Sequence, residues 1–343
     1  MPAVLTHDFF GRDAYPLAAD ALGLLSLAQH DAFMLGSQGP DPLFYLRVVP
    51  RVKARDLAGG QMHHQRPALL LASLHDALSM LSRPERGVGV AYAAGFLCHY
   101  LLDRSVHPLV FSQEYGICDV GVEGLDRSCG TVVHAEIERD LDEMVLFAKT
   151  GQTVEGYQPH RHVLAADADT LRVIDKLFFY MNLWTFSRTL SLDCYTRGVK
   201  AFRLAQRALF ASRGGRGRVL CALERRLGHR RYSLVGAMAH RARKADASPF
   251  ANSGHEAWID PFTGALSSES FWDRYEGALA TLPGALDTFL AAGFDLAAAR
   301  ELTGDLNFSG QPVDPDALDD PAEPRPGVTL GEPEVLPGRA CGR

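Results

Sequence analysis

The segment GFLCHYLLDRSVHPLV, residues 95–110, places three His and Asp side chains that can bind a metal within a largely apolar helical pattern. His99, Asp103 and His107 are four residues apart, so in a helix they share one broad face with Leu, Phe and Val side chains. Burying a carboxylate is costly unless it is paired or coordinated. The segment therefore predicts a buried helix whose Asp103 has partners, and a metal ion is the partner that the neighbouring histidines suggest.

A second helical motif supplies further ligands of the same kind. In TVVHAEIERDLDEMVLF, residues 131–147, His134 and Glu138 have i, i+4 spacing. One turn of helix can present two such side chains to one ion, and facing helices can complete the coordination shell. Imidazole nitrogens and carboxylate oxygens suit zinc. The two motifs together predict a metal site built between two helices.

Three more candidates precede these motifs. His7 lies in LTHDFFG, Asp41 in GSQGPDPLFY, and the pair His63 and His64 in GGQMHHQ. The Gly and Pro residues around Asp41 predict a turn that points its carboxylate into a cavity. His63 is preferred over His64 because it follows the apolar Met62, although either could bind a metal. Structural zinc sites are typically closed and often contain Cys, so this Cys-free set favours a multinuclear hydrolytic site.

The rest of the chain predicts an all-α domain followed by a tail. Strand signals are scarce, and the helical periodicity recurs in eight segments: 15–35, 66–83, 88–111, 131–149, 166–190, 197–212, 217–243 and 268–297. The Gly-rich segment 112–130 is expected to be a long loop between the two motif helices. From residue 309 the chain is rich in Pro, Asp and Glu and is expected to be disordered. We therefore divide the sequence into a helical domain, 1–308, and a tail, 309–343.

Composition narrows the functional classes. The chain has 343 residues, 47% of them hydrophobic, which is enough for a substantial core, and its net charge of −6 gives no overall attraction to nucleic acid. No secretory signal or membrane-spanning run is apparent, and six scattered Cys residues suggest reduced thiols, so we expect a cytoplasmic protein. The Arg-rich stretch 213–232 is interpreted as a solvated helix face, with peripheral membrane contact as the alternative.

The motifs also resemble a known family. THDFFGRDAY, GSQGPDPLFY, MHH, GFLCHYLLDRSVHP and HAEIERDLD follow one another as in the bacterial zinc-dependent phospholipase C family, in particular its intracellular branch. NSGHEAWIDPFTGALSSESFWDRY, residues 252–275, resembles a downstream signature of that branch. The resemblance covers roughly residues 1 to 300. It implies a single all-helical domain, like that of the related single-strand-specific zinc nucleases, with two to three zinc ions in a cleft.

The resemblance also implies roles for the candidate residues. A first zinc would be held by Asp41, His63 or His64, His99 and Asp103, a second by His107, His134 and Glu138, and a third by Asp103 and His7. Asp41 would also act as the catalytic general base that orients a water molecule. Secreted members place five residues between the Asp and the next His, whereas only three, residues 104–106, separate Asp103 from His107.

The implied activity is phosphodiester hydrolysis, in which a zinc-bound hydroxide attacks phosphorus in a phospholipid or a small phosphodiester. Two alternatives remain at this stage: a nuclease-like zinc hydrolase, and a non-catalytic helical protein with a structural or vestigial metal site. The aromatic run FFYMNLWTF, residues 178–186, is interpreted as core. The residues around His255, Trp258 and Asp260 are interpreted as a structural turn, and no specific nucleic-acid partner is expected.

Overall fold

A 33-residue helix, α5 (Arg86–Cys118), carries the first motif and is the element around which the others pack. Its length of about 50 Å follows from a rise of about 1.5 Å per residue. Residues 91–103 of α5 are all buried, as expected for a helix enclosed by others. In the computed structural model, which describes residues 3–210, 222, 224–226 and 232–314, helices α1, α2, α6, α8 and α11 contact this central helix.

Helices dominate the described residues, which confirms the predicted all-α class. The α-helices are α1 (Val4–Leu22), α2 (Leu27–Gly36), α3 (Gly59–His64), α4 (Pro67–Ala77), α5, α6 (Gly130–Thr150), α7 (Val154–Tyr157), α8 (Ala168–Phe186), α9 (Cys194–Phe210), α10 (Leu234–Met238), α11 (Phe271–Phe289) and α12 (Leu296–Thr303). Short 3-10 helices cover Asp41–Val48, Ala54–Asp56, Leu78–Met80, Arg127–Cys129 and Pro159–Arg161. Strands β1 (Trp258–Ile259) and β2 (Leu266–Ser267) form an antiparallel hairpin. None of the described helices is both long and apolar enough to span a bilayer.

Two glycines let α2 and α5 lie almost in backbone contact. A Cβ atom on Gly95 would lie 2.1 Å from the carbonyl oxygen of Phe33, and one on Gly36 would lie 2.2 Å from that of Tyr92. Neither position can therefore hold a larger residue without moving a helix backbone. This close approach places the turn that follows α2, which carries Asp41, against the part of α5 that carries His99.

We expect Gly95→Ala to lower the free energy of unfolding by about 3 kcal/mol, because overpacking a core against backbone atoms cannot be relieved by side-chain rotation. Gly116→Ala, in the same helix, is the matched control. A Cβ atom on Gly116 meets nothing within 4 Å, so alanine there should stabilise the protein by about 0.5–1 kcal/mol. Urea unfolding of both variants measures the difference, and equal stabilities would contradict this account of the α2–α5 contact.

Several element boundaries differ from the predicted ones. The single helix predicted over 15–35 is divided into α1 and α2, because Gly23 takes a left-handed conformation (φ 62°) and Ser26 then caps α2 in a capping box with Gln29. The long loop predicted over 112–130 is also wrong. Helix α5 continues to Cys118 because Phe111, Glu114 and Cys118 keep a buried face at helical spacing, so only residues 119–126 join it to the next 3-10 helix.

The last described segment is packed against the domain. After α12, an isolated bridge pairs Leu306 with Pro312, and Ser309 is 4% exposed. The domain boundary predicted after residue 308 therefore falls within a packed segment, and 315–343 lies outside the described residues. Most of 213–232 also lies outside them. Most of the helix predicted over 217–243 is described, but there α10 ends at Met238 and residues 239–243 are not helical. His255 is exposed and lies just before the β1–β2 hairpin, whose first strand contains Trp258.

Candidate metal centre

Eight side chains predicted as ligands come together from five elements in the interior. His7 comes from α1, Asp41 from the first turn of a 3-10 helix, and His63 from α3, while α5 and α6 supply the others. Three sets each have one donor atom per residue, all within 4.8 Å of one another: His7, Asp41 and His99; His63, His99 and Asp103; and His107, His134 and Glu138. The first two sets share His99 and together form one group of five donors. The third set forms a separate group of three.

Asp103 lies between these groups. Its Oδ1 atom is 3.0 Å from Nε2 of His7 and 3.8 Å from Nε2 of His107. Its Oδ2 atom is 3.3 Å from Nε2 of His99 and 3.9 Å from Nε2 of His63. One buried carboxylate therefore faces four imidazoles, and this arrangement explains how an acidic side chain is accommodated inside an apolar helix.

The other two carboxylates each face one group. Asp41 Oδ1 is 3.1 Å from Nε2 of His63 and 4.0 Å from Nε2 of His99. Glu138 Oε1 is 3.3 Å from Nε2 of His107 and 3.4 Å from Nε2 of His134. Every group of imidazoles therefore has at least one carboxylate that can balance the charge of a bound cation.

The structure distinguishes between the two adjacent histidines of α3. His63 is buried, and its Nε2 atom faces Asp41. His64 is only partly buried and belongs to none of the three sets of donors found among the described residues. The position facing the cluster is therefore that of His63.

Hydrogen bonds behind the rings orient the histidines. The Nδ1 atoms of three of them lie close to backbone carbonyl oxygens: His63 to Gly59 at 2.7 Å, His99 to Ser37 at 3.3 Å and His107 to Phe308 at 2.7 Å. Nδ1 of His134 instead lies 2.8 Å from Oε2 of the buried Glu114. Such contacts fix the tautomer and turn the other ring nitrogen towards a metal.

Sequence reasoning missed all of these supporting groups. Backbone carbonyls leave no signal in a sequence, so the roles of Gly59, Ser37 and Phe308 could not be predicted. Glu114 did leave a signal in the sequence, because it lies seven residues after His107 and shares its helix face. The loop predicted over 112–130 hides this signal, because it removes Glu114 from the helix.

A buried carboxylate on α6 also anchors the helix that carries His7. Asp142 accepts hydrogen bonds from the backbone N–H groups of Leu5 (3.1 Å) and Thr6 (2.7 Å) and from the Thr6 hydroxyl (2.7 Å). N–H groups in the first turn of a helix have no partner within the helix. Nε2 of His240 lies 3.0 Å from the same carboxylate. Asp142 thus fixes the start of α1 relative to α6, one turn beyond Glu138.

We expect Asp142→Ala to destabilise the protein by about 3 kcal/mol, because hydrogen bonds to a buried charged group contribute about 1.5–3 kcal/mol each and buried donors would lose their acceptor. Metal binding that involves His7 should weaken as well. Asp119→Ala, which removes an exposed carboxylate from the end of α5, is the control and should change stability by less than about 0.5 kcal/mol. Urea unfolding and metal content measure both effects, and an unchanged Asp142→Ala protein would contradict the anchoring role.

The electrostatics of the cluster keep its acids ionised. Burial alone would raise the pKa of Asp103, but the charges of His107, His99 and His7 hold it well below its usual range. The pKa of His99 is lowered by burial. Burial also opposes protonation of His134, yet Glu138 and Glu114 raise its pKa to about 9. Without a metal, a proton on His134 therefore offsets part of the negative charge of the carboxylates, and a divalent cation can replace it.

The donor set fits metal ions. Two buried ring nitrogens, Nδ1 of His7 and Nε2 of His99, have no hydrogen-bond partner, although nearly all buried polar atoms in proteins have one. Nε2 of His99 is close to Asp103 but lacks hydrogen-bond geometry. A cation next to His99 would give its Nε2 atom a partner, and imidazole nitrogens with carboxylate oxygens are the ligands of zinc and related transition metals.

A small cleft opens beside part of the cluster. Its polar lining includes His7, Asp103, His107 and Glu138, which are all members of the cluster. The remaining lining residues are mainly apolar: Ala3, Thr6, Leu102, Val106, Val110, Leu141 and Phe271. The cleft therefore places four of the eight donors next to apolar side chains.

Comparisons of the chain with protein-family models, with curated proteins and with solved structures found no match.

Proposed function

We propose that this protein is a zinc-dependent phosphodiester hydrolase of the phospholipase C type. The proposal rests above all on one observation: Asp103 and seven further His, Asp and Glu side chains converge, and four of the eight line a cleft with mainly apolar walls. A structural zinc site normally needs four ligands. Eight donors grouped around a shared carboxylate favour more than one ion, as hydrolytic metal centres use.

The residues divide naturally among the ions. Asp41, His63, His99 and Asp103 would hold a first zinc, His107, His134 and Glu138 a second, and His7 with Asp103 would contribute to a third. When bound, such ions lower the pKa of a coordinated water and neutralise charge on phosphoryl oxygens.

Side chains of the protein would orient the attacking water, accept its proton and exclude bulk water. Asp41 projects from a turn, and its Oδ1 atom faces the His63 group, so it is the carboxylate that we assign to orienting a water molecule and accepting its proton. Asp103 contacts both groups of donors and so fixes their position relative to each other. Leu102, Val106 and Phe271 line the cleft and would exclude bulk water from the reacting phosphate.

The cleft favours a substrate with an apolar portion over a nucleic acid. Single-stranded nucleic acids are usually bound on exposed aromatic side chains along a basic groove. Only part of the aromatic run 178–186 belongs to the core: Phe178 and Phe186 are buried, whereas Phe179 and Tyr180 are half-buried and Trp184 is 38% exposed. Phospholipids and small aryl phosphodiesters, which combine a phosphodiester with apolar groups, match the cleft better.

The decisive experiment is to measure zinc per chain by elemental mass spectrometry, using untagged protein purified without chelators. We expect two or three zinc ions, together with hydrolysis of phospholipid or aryl phosphodiesters that exceeds hydrolysis of single-stranded DNA. Zero or one zinc would contradict a multinuclear hydrolase. Zinc with preferential DNA cleavage would favour the nuclease-like alternative, and zinc without any turnover would favour a structural site.

A further inference from the structure

One residue near the end of the described chain contacts both groups of donors. The backbone N–H of Phe308 donates to the carbonyl of His63 at 3.2 Å, and the Phe308 carbonyl lies 2.7 Å from Nδ1 of His107. His63 belongs to the group around Asp41, whereas His107 belongs to the group around Glu138. Phe308 therefore connects α3 and α5 at the two places where these helices carry candidate ligands.

The side chain of Phe308 reinforces this contact from the interior. It is 1% exposed, and its ring centroid lies 4.9 Å from that of His63 and 5.7 Å from that of His99. The ring thus limits the movement of two histidines, while the carbonyl fixes a third. A proton on Nδ1 of His107, donated to this carbonyl, leaves Nε2 free to face Glu138.

The segment that carries Phe308 is itself held tightly. The Tyr100 hydroxyl donates to the carbonyl of Leu306 at 2.7 Å. The Asn307 side-chain oxygen accepts from the backbone N–H groups of Ser309 (2.9 Å) and Gln311 (3.1 Å), which closes a turn around Phe308. Gly310 then packs so closely on α5 that a Cβ atom would lie 2.7 Å from Cγ of Pro108 and 2.9 Å from the carbonyl oxygen of Arg104.

We infer that Phe308 is a positioning residue for the metal centre and that the segment 307–310 is a strap joining its two groups of donors. This inference rests on the proposed metal-dependent function. It adds that the metal centre also depends on a residue that is not itself a metal ligand. Loading of the site formed by His107, His134 and Glu138 depends on a segment far beyond Glu138 in the sequence.

The test compares two glycines of the same region. Gly310 (φ 75°) and Gly304 (φ 59°) both have left-handed backbones, so alanine strains both. A Cβ atom on Gly304 meets nothing within 4 Å, whereas one on Gly310 pushes the strap away from α5. We expect Gly310→Ala to bind its weakest zinc about 10- to 100-fold less tightly, the usual loss when a ligand's supporting contact is removed. Gly304→Ala should bind zinc like the unmodified protein.

A second variant separates positioning from folding. Phe308→Ala removes the ring but keeps the carbonyl, so it should alter the His63 and His99 environment, and Phe308→Leu should restore most of the effect. The absorption spectrum of the cobalt-substituted full-length chain reports ligand geometry directly, and circular dichroism verifies that each variant is folded. A purely structural role would lower thermal stability without changing the cobalt spectrum or the zinc affinity of the folded protein.

The outcomes are distinguishable. Reduced zinc affinity and an altered cobalt spectrum in Gly310→Ala, with Gly304→Ala unchanged, would support the strap. If the unmodified protein binds two or three zinc ions and Gly310→Ala binds them equally well, or if both glycine variants lose zinc equally, the positioning role is wrong. If the unmodified protein binds no zinc, the proposed function itself fails, and the strap's role with it.

Discussion

Asp103→Asn is expected to lose at least one of the zinc ions and to hydrolyse phosphodiesters about 100-fold more slowly or worse, since about 3 kcal/mol of lost transition-state stabilisation corresponds to that factor. The Asp103 carboxylate faces the Nε2 atoms of four histidines at 3.0–3.9 Å. An asparagine amide is neutral and offers a single acceptor oxygen, so it can neither balance the charge of two cations nor bridge them. Zinc content and the steady-state rate with an aryl phosphodiester measure the loss.

The matched control for this variant is Asp175→Asn. Asp175 is also buried, but it lies on α8 and accepts hydrogen bonds from the backbone N–H (3.0 Å) and the hydroxyl (2.6 Å) of Thr196. It belongs to none of the donor sets found among the described residues. This variant should keep its zinc and its turnover. Full zinc content and full rate in Asp103→Asn would show that the carboxylate does not bridge metals.

Removing the metal should lower thermal stability by a large amount. A ligand present at about 1,000 times its dissociation constant stabilises the native state by about 4 kcal/mol. With a shift of about 2–4 °C per kcal/mol in domains of about 150–250 residues, chelation should lower the Tm by about 10 °C. The physical reason is that the buried Nε2 atom of His99 would be left without a partner.

Restoring the metal tests whether the loss of zinc itself causes the lower Tm. Adding zinc back after the chelator is removed should restore the original Tm, and magnesium should not, because magnesium prefers oxygen ligands and most of these donors are imidazoles. In Asp103→Asn the chelator should shift the Tm by a smaller amount, since less metal is bound at the start. An unchanged Tm after complete removal of zinc would mean that the cluster is stable without cations, and it would count against a resident metal centre.

Local patterns in the sequence were sufficient for the features that a single helix determines. The i, i+4 spacing of His99, Asp103 and His107 places them on one face of α5 whatever surrounds that helix, and the same holds for His134 and Glu138 on α6. The scarcity of strand signals likewise predicted the all-α class. Helix ends were less predictable, because α5 continues through Gly116 to Cys118 on the strength of buried contacts that lie far away in the sequence.

The sequence by itself determined which residue types were available as ligands and which of them share a helix face, because these properties depend only on neighbours along the chain. Only the tertiary structure decided that His63 rather than His64 faces Asp41, that Glu114 supports His134, and that Phe308 contacts two donor groups. Each of these contacts joins different elements of the fold, and those of Phe308 involve backbone atoms that every residue possesses. Which of those atoms meet is set by the packing of helices, above all by the close approach of α2 and α5 at Gly36 and Gly95.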